Sequence, residues 1–110
     1  MMATAKIDAG VCGFHTTSNA TSADGMFVEF EVQSDCEKIR GLGEALAAKG
    51  PVNAYEEISP VAESVVMNMV RDCLKGCCAG CAVPVGIFKS MPVAAGLALP
   101  KDIAIRIERE

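Results

Sequence analysis

The chain has 110 residues, of which 51% are hydrophobic and 22% charged, with a formal net charge of −4 at pH 7. That is the length of one domain with enough apolar content for a core, which excludes a chain disordered by composition. An acidic balance with one Tyr and no Trp offers no basic, aromatic face to nucleic acid, and no basic amphipathic stretch offers itself to a membrane surface.

The N-terminal residues carry Lys6 and Asp8 with no long apolar core behind them, unlike a signal peptide. Residues 79–99 form the longest apolar stretch, but Pro84, Lys89, Ser90 and Pro92 interrupt it, so no membrane span is expected. A cytoplasmic protein is expected, with no nucleic-acid or membrane partner. Its protein partners are unspecified, and a homodimer stays open.

In chain order, residues 3–14 place Ala5, Ile7, Ala9 and Val11 on one side of a half-buried strand. Residues 15–25 are rich in Thr, Ser, Asn and Asp and read as a polar loop ending in the Asp24-Gly25 turn. Met26, Val28, Phe30 and Val32 alternate with Glu29, Glu31 and Gln33, which predicts a second strand with one wet face.

Ser34-Asp35-Cys36-Glu37 has the pattern of a capping box, so a helix should follow with Ile39, Leu42 and Leu46 buried, ending near Gly50-Pro51. Residues 51–58 read as a connector in which Glu56 and Glu57 are solvated. Ser59-Pro60 is expected to start a second helix, with Val61, Val65, Met69 and Cys73 recurring every four residues and Gly76 as its stop.

Residues 77–81 form a tight loop of small residues. Pro84 should open a third helix with Val85, Phe88, Met91 and Ala95 on its apolar side, Gly96 as its cap, and a kink or break at Pro92. Ile103, Ile105 and Ile107 alternate with Ala104, Arg106 and Glu108, which predicts a last strand. The fold class is therefore α+β: one cysteine-rich domain over residues 1–110, an antiparallel sheet of three or more strands with about three helices on one face, in the order ββααα-β.

The six cysteines carry the chemistry. In a reducing cytoplasm they point to metal or redox chemistry before disulfides. Cys78-Ala79-Gly80-Cys81 is a C-x-x-C, whose spacing lets one turn of chain bring two sulfurs to one metal. One such pair is half of a four-ligand shell. Cys12, at a strand end, and Cys36, at a helix start where exposed amides favour thiolates, are the natural remainder. The expected metal ligands are Cys12, Cys36, Cys78 and Cys81, and the expected cofactor is an iron–sulfur cluster, with zinc second. Glycines at 10, 13, 76 and 80 allow close N–H···S contacts of the kind that tune clusters.

Packing explains other positions better. Cys73 continues a helical apolar stripe, and free cysteine often only fills space. Cys36 too could be a buried first-turn residue. Cys77 and Cys78 are adjacent and rarely both bind one metal. His15, the single histidine, reads as solvated, and one histidine excludes a Cys₂His₂ finger. Gly41 and Gly43 lie on a helix, so their G-x-G is no nucleotide loop, and the six Met are most simply core.

Gly-Val-Cys-Gly-Phe at 10–14, Ser-Asp-Cys at 34–36, and Cys-Ala-Val-Pro with the later Gly-Leu-Ala-Leu-Pro-Lys-Asp between 81 and 102 are similar to a known pattern. They resemble an uncharacterised family of small cysteine-rich proteins from anaerobic archaea and bacteria, over nearly the whole chain. The resemblance implies Cys12, Cys36 and Cys81 as the family's cysteines and leaves the fourth open among Cys73, Cys77 and Cys78. It implies no established activity, and its anaerobic setting favours iron–sulfur chemistry. The competing functions are a thiol–disulfide redox protein using Cys36 and Cys81, and an interaction domain with buried structural cysteines.

Overall fold

The computed structural model describes residues 1–59 and 63–110, and of Cys77 the backbone alone. Three long strands form the sheet: β1 (Met2–Asp8), β2 (His15–Thr21) and β3 (Phe27–Ser34), with the short β4 (Val52–Asn53) on the far edge. All pair antiparallel in the order β1-β2-β3-β4. Helices α1 (Glu37–Lys49), α2 (Ala54–Glu57), α3 (Val65–Cys73) and α4 (Val83–Ala94) follow, with a 3₁₀ turn at Gly76–Gly80. The architecture is the expected α+β class, strands first and helices after. No helix among the described residues is long and apolar enough to cross a membrane.

The polar stretch after residue 14 is the main correction. It is the second strand of the sheet, flanked by β1 and β3. Its inward positions Thr16, Ser18 and Ala20 are buried although two of them are hydroxyl residues. Hydropathy alternation is blind to such a face, whereas the β-branched threonines suit a pleated strand. Thr16 is satisfied by a 2.7 Å hydrogen bond between its Oγ1 and the Ser34 hydroxyl on β3. The turn from β2 to β3 is where the sequence placed it. Asp24 Oδ1 accepts from the amides of Met26 and Phe27, each at 2.9 Å, and these bonds hold its carboxyl below the usual value, Met26 first.

The capping box does not form. Ser34 is the last residue of β3, and its hydroxyl accepts from the Cys36 amide at 3.0 Å, closer than the expected bond three residues on. Cys36 itself is the N-cap of α1. Helix α1 buries Ile39, Leu42, Gly43 and Leu46, as its periodicity predicts. Gly43 lies where a Cβ would stand 2.8 Å from Cβ of Val32, so its missing side chain sets how closely α1 packs on β3.

The connector 51–58 contains β4 and α2. Glu57 is buried rather than solvated, and it organises the start of α3. Its Oε2 accepts from the Val65 amide at 2.8 Å, and its Oε1 from the Val66 amide at 2.8 Å and the Ser64 hydroxyl at 2.9 Å. These are donors that a helix N-terminus leaves without intrahelical partners. The N-cap is Ser64, whose hydroxyl accepts from Met67. Pro60 and Val61, expected at the start of this helix, lie outside the described residues. The buried side of α3 and its exit is Val66, Val70 and Leu74, one position round from the stripe of Val65, Met69 and Cys73, which is half-buried.

Helix α4 buries Val83, Ile87, Met91 and Ala94, while Val85 is exposed, so its inward face differs from the expected one. Pro92 does not split it: the proline sits in the last turn, and Gly96, at φ 78°, follows the cap. Met91 is core, but Met1, Met2 and Met26 are exposed, so the methionines are only partly core. Residues 102–109 make no ladder. Ile103, Ile105 and Ile107 are exposed, and an alternating pattern without a partner strand to supply hydrogen bonds and a buried face stays irregular.

Candidate thiol site

Three parts of the chain meet around a cavity of about 340 Å³. The first is the β1–β2 hairpin loop, residues 9–14. Gly10 and Gly13 adopt left-handed φ values of 88° and 71°, which turn the chain tightly enough for the Ala9 amide to reach the Phe14 carbonyl at 3.1 Å. This loop carries Cys12, which is exposed. The second part is the beginning of α1, with Cys36 as N-cap and Ile39 one turn further in. Cys36 is fixed twice: its amide donates to Ser34 Oγ, and its carbonyl accepts from Arg40 at 2.9 Å.

The third part is the stretch from the end of α3 to the start of α4, with Leu74, Cys78, Cys81 and Val83. The Cys81 amide donates to the Cys78 carbonyl at 3.1 Å, so the C-x-x-C closes as one 3₁₀ turn. Cys36, Cys78 and Cys81 are all half-buried. The remaining walls are mostly apolar, with Ala9, Val11 and Phe14 from the hairpin side and Thr16 as the one hydroxyl residue in the lining.

All four cysteines singled out in the sequence therefore line the same cavity, although they are spread from position 12 to 81. Cys73 is half-buried, packs against the core and does not line the cavity, as its helical stripe suggested. His15 is exposed at the start of β2 and is not part of the wall. Glu29 and Glu31 are on the exposed face of β3.

Lys38 was missed. Its Nζ donates to Cys78 Sγ at 3.6 Å, which brings an ammonium from the first turn of α1 to the 3₁₀ turn 40 residues later. Nothing in the local sequence announces that contact, since it depends on how α1 packs beside the C-x-x-C. Among the described residues the cysteines are free thiols, and no three His, Cys, Asp or Glu side chains stand close enough together to hold one metal ion. The arrangement is a ring of separated thiols around an apolar hollow, with a cation beside one of them.

No curated protein and no solved structure matches the chain. A family model does, over residues 3–107, a span that includes every cavity-lining cysteine and most of the irregular C-terminal segment. The chain belongs to that family, DUF6951, a family of unknown function.

Proposed function

We propose that this protein is a metal-binding protein that holds an iron–sulfur cluster through the thiolates of Cys12, Cys36, Cys78 and Cys81, and works as an electron carrier or a metal-stabilised adaptor. The observation that carries the proposal is that these four cysteines, from three segments, line one apolar cavity. Buried thiols that merely fill space have no reason to share a hollow.

A polynuclear cluster would span a wider ring of thiolates than a single zinc ion and would take up space between them. A cluster with four thiolates is anionic, and the Lys38 ammonium beside Cys78 supplies a compensating charge where apolar walls supply none. A reducing cytoplasm would keep the thiols available, and an anaerobic setting, which the sequence resemblance implies, would suit an oxygen-sensitive cofactor.

The test is elemental and sulfide analysis, with visible absorbance, on protein purified without oxygen. Iron and sulfide with a coloured protein are expected, and Cys81→Ser should remove both. Zinc alone would keep the thiolate site but change its metal. A colourless wild-type chain that takes up neither iron nor zinc would end the proposal. Cys36 and Cys81, free and half-buried at the same cavity, also support the thiol–disulfide alternative. It predicts that mild oxidation lowers the free-thiol count by two in wild type and not in Cys36→Ser.

A further inference from the structure

The sheet has two unequal edges. β4 is two residues long, the kind of short edge that resists pairing, whereas β1 is an edge of seven residues with no proline and an unbroken register. The Ser22 amide donates to the Met1 carbonyl at 2.9 Å and the Ala9 amide to the Phe14 carbonyl at 3.1 Å, so the odd-numbered residues of β1 bond to β2. Met2, Thr4, Lys6 and Asp8 therefore turn their backbone N–H and C=O groups to the open side.

The same chain carries a strand pattern with no sheet. Residues 102–110 make no backbone hydrogen bond among those described; the last ones before them come from Leu97 and Ala98, both to the Pro92 carbonyl. The ion pair of Arg106 and Glu108 at 2.9 Å fits an extended arm, in which alternate side chains share a face and Ile103, Ile105 and Ile107 take the other. Exposure of these isoleucines rises along the arm, from 50% to 66% to 90%. The hollow of about 700 Å³ lies between β1 and the first part of this arm, and Ile105 is the last arm residue to line it.

We infer that residues 106–110 of one copy of this chain pair antiparallel with the β1 edge of a second copy, and the reverse, so that two copies exchange C-terminal arms. One register satisfies the side chains. With Ile107 opposite Ile7, Arg106 comes opposite Asp8 and Glu108 opposite Lys6: two opposite-charge pairs on one face and an aliphatic pair on the other. Ile7 lies on the helix-covered face, where a Cβ on Gly86 of α4 would stand 2.6 Å from it. A shift of two residues in either direction sets like charges opposite, Arg106 against Lys6 or Glu108 against Asp8. Edge and arm belong to the same chain, so two copies complete each other in a closed, two-fold arrangement. The ladder is short, so the dimer forms by mass action as concentration rises, and unfolding of the dilute monomer does not read it. The contact stands apart from the thiol cavity.

The test uses the full-length chain, with reductant present so that no disulfide joins copies, and sedimentation velocity over a concentration series. Wild type should rise from the mass of one chain to that of two. Deleting residues 102–110 should leave a monomer at every concentration, with folding checked by circular dichroism. Lys6→Glu and Glu108→Lys should each weaken association about tenfold, since every dimer holds the pair twice and each pair turns from attraction to repulsion. An equimolar mixture of these two variants should recover association near the wild-type level, because each arm then meets an edge of opposite charge on the other chain. A contact within one chain cannot be rescued by mixing.

A wild type that stays monomeric throughout the series overturns the inference. Amide exchange in the dilute monomer that speeds up along β1 on deletion assigns the edge to the chain's own arm and overturns it as well. A dimer that survives the deletion places the interface elsewhere. If the deletion abolishes the dimer but the mixture associates as weakly as its components, the arm does not pair with β1 in this register and the pairing is overturned. None of these outcomes bears on the thiol site.

Discussion

Two hollows of the molecule stand at opposite levels of organisation. The smaller, about 340 Å³, is walled by a helix start, a 3₁₀ turn and a hairpin loop, and four of its lining residues are cysteines. The larger, about 700 Å³, lies between β1, α4 and the C-terminal segment. It is walled mainly by aliphatic side chains with a few Lys and Asp and no cysteine or histidine, and one wall is the irregular stretch from Leu99 to Ile105. Size therefore does not mark the site here. The larger space is a gap between a free sheet edge and a chain that makes no ladder with it. The smaller is bounded by side chains that also belong to the core, such as Ile39 and Val83, each about 1% exposed.

This contrast can be broken by mutation. The largest effect is expected for Ile39→Ala, which removes the floor of the thiol cavity. A buried Ile→Ala change costs about 2–5 kcal/mol, because the lost transfer energy is joined by a cavity that relaxes only in part. Urea denaturation should show the midpoint falling with little change in slope. A loss below about 1 kcal/mol would mean that the cavity wall is not core.

Next is Glu57→Gln. It keeps the size but removes the charge and one acceptor oxygen from a group that holds the Ser64 hydroxyl and the Val65 and Val66 amides. Hydrogen bonds to a charged group contribute about 1.5–3 kcal/mol, so about 1–3 kcal/mol of destabilisation is expected. It should come with faster amide exchange in the first turn of α3. Because α3 ends at the cavity wall Leu74, the same variant should loosen the thiol site without touching a cysteine.

Much of this organisation was legible in the sequence, and the parts that were not share a cause. The period-2 pattern of β3 and the 3.6-residue pattern of α1 are carried by large aliphatic side chains against charged ones, so hydropathy reveals them. The four cysteines could be grouped because their segments each end an element, where chains turn back on one another. β2 was hidden because its inward residues, Thr16, Ser18 and Ala20, are small or hydroxylated. The burial of Glu57 was hidden because a carboxylate reads as solvated until the helix it caps is in place. At 102–109 the error ran the other way: a perfect alternation of isoleucines has no neighbour to pair with. Periodicity reports what a segment could form, and the presence of a partner decides whether it does.

The C-terminal wall of the larger hollow supplies the third prediction. Deleting residues 102–110 removes exposed isoleucines and one exposed ion pair, Arg106–Glu108 at 2.9 Å. Exposed pairs contribute about 0–1 kcal/mol, so stability should change by less than about 1 kcal/mol and iron uptake at the thiol site not at all. A loss of about 2 kcal/mol or more would show that the segment pairs with the free edge of β1 in solution, as its alternation suggests.

The smallest effect is a pH dependence at the β2–β3 turn, remote from both hollows. Asp24 is fully exposed, and its carboxyl is held below the usual carboxylate value by hydrogen bonds from the Met26 and Phe27 amides. A folded-state pKa below the unfolded one means that the unfolded chain binds the proton more readily. The turn's contribution is therefore complete above the unfolded value near pH 4, and is lost as pH falls through the lower folded value. Asp24→Asn keeps an acceptor oxygen for the two amides but has no proton to gain. Its stability should thus follow wild type with a small constant offset at neutral pH, and the two curves should converge as wild type loses the contribution below about pH 4. Parallel curves through that acid range would mean that the two amide bonds do not discriminate the carboxylate from the acid, and that the turn is held by Gly25, at φ 74°, and the Ser22 hydroxyl bond to its amide at 3.0 Å.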